Sequence, residues 1–153
     1  MTVQDVAVEL RGIANSFSRE LLAADANAAA RRPAPNTWAP KEVLGHLLDS
    51  AANNHQRFVR AQQVDALVIA GYDQNHWVKS QGYIDADWPH LVALWMHLNL
   101  HLADVIARIP SGKYAVPCTI GDDASVTLEF VVVDYLAHLK HHMAQIRERL
   151  AIT

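Results

Sequence analysis

A hydrophobic period of three and four residues, recurring in four long segments, constrains this chain more than any other feature. The first segment runs from about Val3 to Asp25 and sets Val6, Leu10, Ile13, Phe17 and Leu21 on one stripe. The second starts after Trp38, with Pro40 suited to a first helical position, and carries Val43, Leu44, Leu47, Leu48, Ala51 and Phe58 to about Val64. The third spans about Trp88 to Ile109 with Leu91, Trp95, Leu98, Leu102 and Val105 as its seam, and Pro110-Ser111-Gly112 stops it. The fourth spans about Thr127 to Ala151, with Val132, Leu136, Leu139, Met143, Ile146 and Leu150 facing inward. Side chains repeating near 3.6 residues belong to helices with one buried face, and proline or glycine marks their ends. Four such helices bury their stripes against one another, which predicts an all-α four-helix bundle in one domain covering residues 1–153.

Two connections are long. Residues 65–87 begin with a continuation or short helix at Ala66-Leu67-Val68-Ile69, and residues 110–126 read as irregular loop or an extended pair around Pro117-Cys118 and Gly121-Asp122-Asp123. Such lengths predict at least one connection crossing over the bundle, and long connections are where function concentrates. The run Val131-Val132-Val133 is β-prone and weakens the start of the fourth helix.

Composition narrows the function classes. With a net charge of -3 and scattered Lys/Arg, the chain lacks the clustered basic residues that nucleic acid needs. No basic-then-apolar leader and no uninterrupted apolar run of about 18 residues is present, so neither a signal peptide nor a membrane span is expected. The single cysteine, Cys118, excludes an internal disulfide, fits a cytoplasmic location, and reads as a packed small hydrophobe rather than a nucleophile.

Nine histidines are distributed along the chain. At about 100° per residue, His142 falls just beside the apolar face of the fourth helix, His138 further round on the same side, and His141 nearly opposite the seam. The inward-looking H-x-x-x-H pair is therefore His138 with His142. On the second helix His46 aligns with Ser50, Asn53 and Arg57 in a polar stripe beside the core seam, the pattern of either a pocket wall or a solvated face. If the two helices pack together, His46, His138 and His142 converge on one metal and leave its coordination sphere partly open, the arrangement of a reactive site. The second such pair, His97 with His101, reads as surface, and His55 as a core histidine. Glu42 and Asp134 each stand four positions ahead of a candidate ligand, within reach to hold its second ring N–H; the alternative is an ordinary intrahelical pair. The sequence contains no H-E-x-x-H, no Glu-x-x-His and no zinc-finger cysteines. An all-imidazole site suits several divalent ions; zinc is the first expectation, with nickel or iron next.

Trp38-Ala-Pro-Lys-Glu-Val-Leu-Gly-His46-Leu-Leu-Asp49 and Tyr135-Leu-Ala-His138-Leu-Lys-His-His142-Met-Ala-Gln145-Ile146 resemble the DinB/YfiT-like superfamily, as do Gly71-Tyr-Asp-Gln-Asn-His-Trp77 and the stretch from Trp95 through Leu98-Asn99 to Ile109-Pro110. The resemblance implies an up-down-down-up bundle with a long crossover connection, and a divalent metal on His46, His138 and His142. Ala39 departs from it, standing where Ser or Thr would cap the helix. The characterised branches act on low-molecular-weight thiols such as mycothiol and bacillithiol. This implies a metal-dependent thiol S-transferase or isomerase joining a thiol to a small electrophile, since a metal held by neutral imidazoles acidifies a bound thiol. The alternatives are a metal-dependent hydrolase, with Asp49 or Glu42 as the available base, and a non-catalytic metal-binding, stress-associated protein. Asp49, Arg57 and Tyr72 are the further pocket candidates. The expected partners are a small-molecule substrate and a thiol, with no nucleic acid and no membrane. A homodimer is expected from the resemblance and from Trp77, Tyr83 and Trp88, taken as exposed.

Overall fold

The computed structural model describes residues 1–152, and four long helices dominate it. They are α1 (Val3–Ala23), α3 (Pro40–Ala61), α5 (Trp88–Ala107) and α6 (Leu128–Leu150), with short helices α2 (Ala26–Ala29) and α4 (Gln74–Ser80) between them. The predicted bundle of four helices is present, each within a few residues of the predicted bounds. Local chemistry explains the starts. Thr2 and Asp5 form a reciprocal capping box on α1, with Asp5 N donating to Thr2 Oγ1 over 3.1 Å and Thr2 N to Asp5 Oδ2 over 2.8 Å. Asp87 caps α5 through His90 N and Thr127 caps α6 through Phe130 N. Ala39 offers α3 no side-chain cap, but the Glu42 carboxylate accepts the Ala39 N–H at 3.1 Å. The first helix ends earlier than its predicted limit at Asp25, because that side chain turns to cap α2 through Asn27 N.

The long helices pack side by side, and contacts near their ends fix which termini lie together. Gln4 reaches the Ala107 carbonyl, and Trp88 Nε1 donates to the Leu21 carbonyl at 2.9 Å. Arg147 pairs with Glu20, and Lys140 with Glu9. Arg149 reaches the Trp38 carbonyl, while Phe58 lies edge-on to Tyr135 with ring centroids 5.8 Å apart. One continuous core draws on all four, with Phe17 edge-on to Trp95 at 5.7 Å near its centre. Helix α5 is apolar and long enough to pass for a membrane span by composition, yet its buried side chains face α1 and α3.

Three expectations need correction. Leu67–Ile69 is a strand, β1, and not a helix extension: it pairs in parallel with β2 (Pro117–Ile120), which pairs antiparallel with β3 (Val126–Thr127). A short β-branched segment with a partner strand available satisfies its backbone better in a ladder than in a lone turn of helix. Val131-Val132-Val133 is helical from the first valine, because Val131 and Val132 are buried in the core and tertiary packing overrides propensity. Trp88 and Tyr83 are only 3% and 6% exposed, so they belong to the core and lend no support to a dimer surface.

Candidate metal centre

Helices α3 and α6 pack side by side and bring His46, His138 and His142 together. His46 Nε2 lies 3.2 Å from His138 Nε2, and His138 Nε2 lies 3.1 Å from His142 Nε2. The three candidate donor atoms all fall within 4.8 Å of one another, with the rings roughly edge-on. Donors bound to one ion at about 2.0–2.1 Å are separated by roughly 3 Å, so the spacing fits a shared ion. The protonation states fit as well. Burial, then repulsion between the rings, depresses His46 to about 3. Burial and His142 depress His138 to about 4, with Asp134 opposing. Burial also lowers His142. Neutral imidazoles present lone pairs, which a cation requires.

The surroundings of the rings differ. The Gln145 side-chain oxygen lies 2.8 Å from His142 Nδ1, where it accepts that N–H and leaves Nε2 free to bind. His46 is 2% exposed, its Nδ1 has no hydrogen-bond partner, and Trp38 lies against its ring with centroids 5.2 Å apart. The anticipated Glu42–His46 contact does not form. Glu42 sits in the first turn of α3, where the Ala39 N–H and the Arg32 guanidinium, at 2.8 and 3.2 Å, take its carboxylate. Burial raises the Glu42 pKa, but these donors outweigh it and hold the group below its ordinary value.

His46 and His138 open onto a cavity of about 350 Å³ between α3, α6 and the small sheet. Ser50, Asn54 and Arg57 continue the α3 wall, Asp134 lies beside His138 on the α6 wall, and Cys118 and Ile120 of β2 close one side. Among the pocket candidates, Arg57, Tyr72 and Asp134 line this cavity, and Asp49 does not. Asp49 stands three residues from His46, about 60° round the helix, and its carboxylate accepts from Tyr83 Oη at 2.6 Å and Gln81 Nε2 at 2.8 Å. Burial raises its pKa, with those two donors opposing. The polar stripe also shifts by one residue: Asn54 lines the cavity where Asn53 was expected, while Asn53 bonds back to the Asp49 carbonyl. Sequence reasoning passed over Gln145 as a partner of His142, although it stands one helical turn further along. His142 itself opens onto a separate cleft of about 340 Å³ with Trp38 and Gln145. His55 and His101 face each other elsewhere at 5.3 Å, and His97 is exposed.

Comparison with known proteins gives a consistent picture. The profile described as the DinB superfamily matches residues 10–146. The chain is 27% identical over 124 residues to "Putative metal-dependent hydrolase BH0277" of Halalkalibacterium halodurans, covering 77% of this chain and 68% of that one. It is 26% identical over 112 residues to "Putative metal-dependent hydrolase YfiT" of Bacillus subtilis, covering 72% of this chain and 63% of the relative, under two thirds of its length. A solved structure of YfiT from Bacillus subtilis, described as "a probable metal-dependent hydrolase with an unusual four-helix bundle topology", superposes with a TM-score of 0.84 at 20% identity. That match covers 95% of this chain and 85% of the other. The structural likeness establishes a shared four-helix bundle fold.

Proposed function

The chain belongs to the DinB superfamily, and from that premise we propose that it is a metal-dependent hydrolase of small molecules, with the ion held by His46, His138 and His142. The observation that carries this reading is the convergence of three uncharged imidazole nitrogens, two of them (His46 and His138) on the wall of a cavity that also holds the carboxylates of Asp123 and Asp134. The names of the two relatives lend it further support. Zinc is the ion we propose, because three protein ligands with an open position, all three of them histidines in one form, are a recurrent catalytic zinc arrangement. When bound, such an ion supplies Lewis-acid polarisation of the substrate and acidifies its fourth ligand. The protein's own groups divide the remaining work. Gln145 holds His142 in the tautomer that points Nε2 inward. On this reading Asp134, which lies beside His138, serves as the carboxylate that accepts a proton from an attacking water, and neither Asp49 nor Glu42 does. The sheet residues Cys118 and Ile120 wall the substrate space.

The same reading takes the bundle as up-down-down-up with a long crossover, supported by the contacts Gln4 with Ala107, Trp88 with Leu21, Arg147 with Glu20 and Arg149 with Trp38. It takes residues 1–153 as one domain, supported by the single continuous core. A cytoplasmic location is proposed from the one buried, free cysteine. A homodimer remains part of the proposal on the family resemblance alone.

The test is metal analysis coupled to turnover. Purified protein should carry about one zinc per chain, and His46→Ala and His142→Ala should lose it. The zinc-loaded protein should cleave 4-nitrophenyl esters without added thiol. Thiol-dependent consumption of monochlorobimane without ester cleavage would replace the hydrolase with the thiol S-transferase implied by the resemblance. Unchanged zinc binding in both variants would refute the donor set itself.

A further inference from the structure

Arg57 is a cation without an anion. It lies on the wall of the cavity, partly buried, and its single side-chain hydrogen bond is a long one, Nη1 to Asn54 Oδ1 at 3.4 Å. Four ion pairs occur among the described residues and none includes Arg57. Burial lowers its pKa, with Tyr72 opposing, yet a guanidinium stays charged in proteins. Holding such a group in a partly dry site with most of its donors unused is costly unless a ligand completes it. The position is as informative as the charge. Arg57 follows His46 by eleven residues, close to three helical turns, so both look into the same cavity from one face of α3. Its side chain leans back to the level of Asn54, which puts the guanidinium on the order of 10 Å from the histidine cluster.

We propose that Arg57 is the recognition site for a carboxylate on the substrate, so that the molecule processed at the histidine centre carries an anionic end on the order of 10 Å from its reacting group. This rests on the hydrolase reading above and adds a substrate class to it. The planar fork of donors suits a carboxylate bidentately, and the Tyr72 hydroxyl stands nearby as a further donor. A singly charged group is favoured over a phosphate dianion because Asp123 and Asp134 line the same cavity and repel a second negative charge. Ser50, on the same face between His46 and Asn54, leaves the intervening wall small and uncharged.

Two measurements test it. In the binding measurement, metal-free full-length protein is titrated with hexanoate and with its neutral isostere hexanamide, followed by NMR. Wild type should bind hexanoate about tenfold or more tightly than hexanamide, Arg57→Gln should abolish the preference, and Arg57→Lys should keep part of it. In the kinetic measurement, zinc-loaded protein is given 4-nitrophenyl hemisuberate and 4-nitrophenyl octanoate, which match in length and differ in charge. Wild type should favour the hemisuberate in kcat/KM by about tenfold, and Arg57→Gln should collapse that ratio through KM. Cleavage of neither ester would remove the hydrolase reading while the binding measurement still decides the subsite. Equal binding of hexanoate and hexanamide to wild type, or an unchanged preference in Arg57→Gln, would overturn the proposal.

Discussion

Gly45 precedes the candidate ligand His46 in the second turn of α3, a position where helix propensity alone favours alanine by about 1 kcal/mol. The structure reverses that expectation. A methyl group at Gly45 would lie 2.6 Å from Tyr83 Cε2 and closer still to two other ring carbons, so the ring stacks directly on the helix backbone. Tyr83 cannot yield freely. It is 6% exposed, and its hydroxyl donates to Asp49 Oδ1 at 2.6 Å and lies 2.9 Å from Gln81 Oε1. Displacing the ring incurs overpacking of about 1–3 kcal/mol. It also loses a buried hydrogen bond to Asp49, worth about 1.5–3 kcal/mol if the carboxylate is charged. After the propensity gain is subtracted, Gly45→Ala should destabilise the protein by about 3 kcal/mol, lowering Tm by roughly 6–12 °C. Thermal and urea unfolding followed by far-UV circular dichroism measure both quantities. The decisive control is the Tyr83→Ala background, where the clash is gone and Gly45→Ala should become neutral or stabilising by up to about 1 kcal/mol. A higher Tm for Gly45→Ala alone, or an equal penalty in both backgrounds, would refute the reasoning.

Three further outcomes follow from the site and its supports. Gln145→Ala should weaken zinc binding by about tenfold or more while leaving the metal-free fold intact, as read by competition with a chromogenic chelator. Zinc at about a hundred times its dissociation constant should stabilise wild type by about 2.7 kcal/mol in urea unfolding, and His142→Ala should remove the gain. Glu42 has a folded pKa below its ordinary 4.5, so the unfolded chain binds the more protons and the group's stabilisation is present above that value and lost as pH falls through the folded one. Acid unfolding of metal-free protein should therefore show a shallower slope below about pH 5 in Glu42→Gln, which should also cost about 1 kcal/mol at neutral pH.

The four helices were legible because each is amphipathic over five or more turns, and a repeated local pattern survives any tertiary arrangement. Phase along α6 likewise separated His138 and His142 from His141, since angular position on a helix depends only on spacing. Pro40 marks the start of α3 through short-range chemistry visible in a few residues. What one helix does to another was not legible. Asp49 and Glu42 lie within four residues of His46, but Tyr83, Gln81 and Arg32 arrive from distant segments and claim their carboxylates. Leu67–Ile69 needed β2, some fifty residues later, to become a strand. Trp88 and Tyr83 looked like surface aromatics until α1 and α3 covered them. Periodicity within a segment thus determined the helices and the inward lean of His138 and His142, while His46 needed the packing of α3 on α6 to become a pocket residue. Contacts between segments decided which acids share the cavity with the histidines and left Arg57 there without an ion-pair partner, because packing partners and burial are set only when remote residues meet.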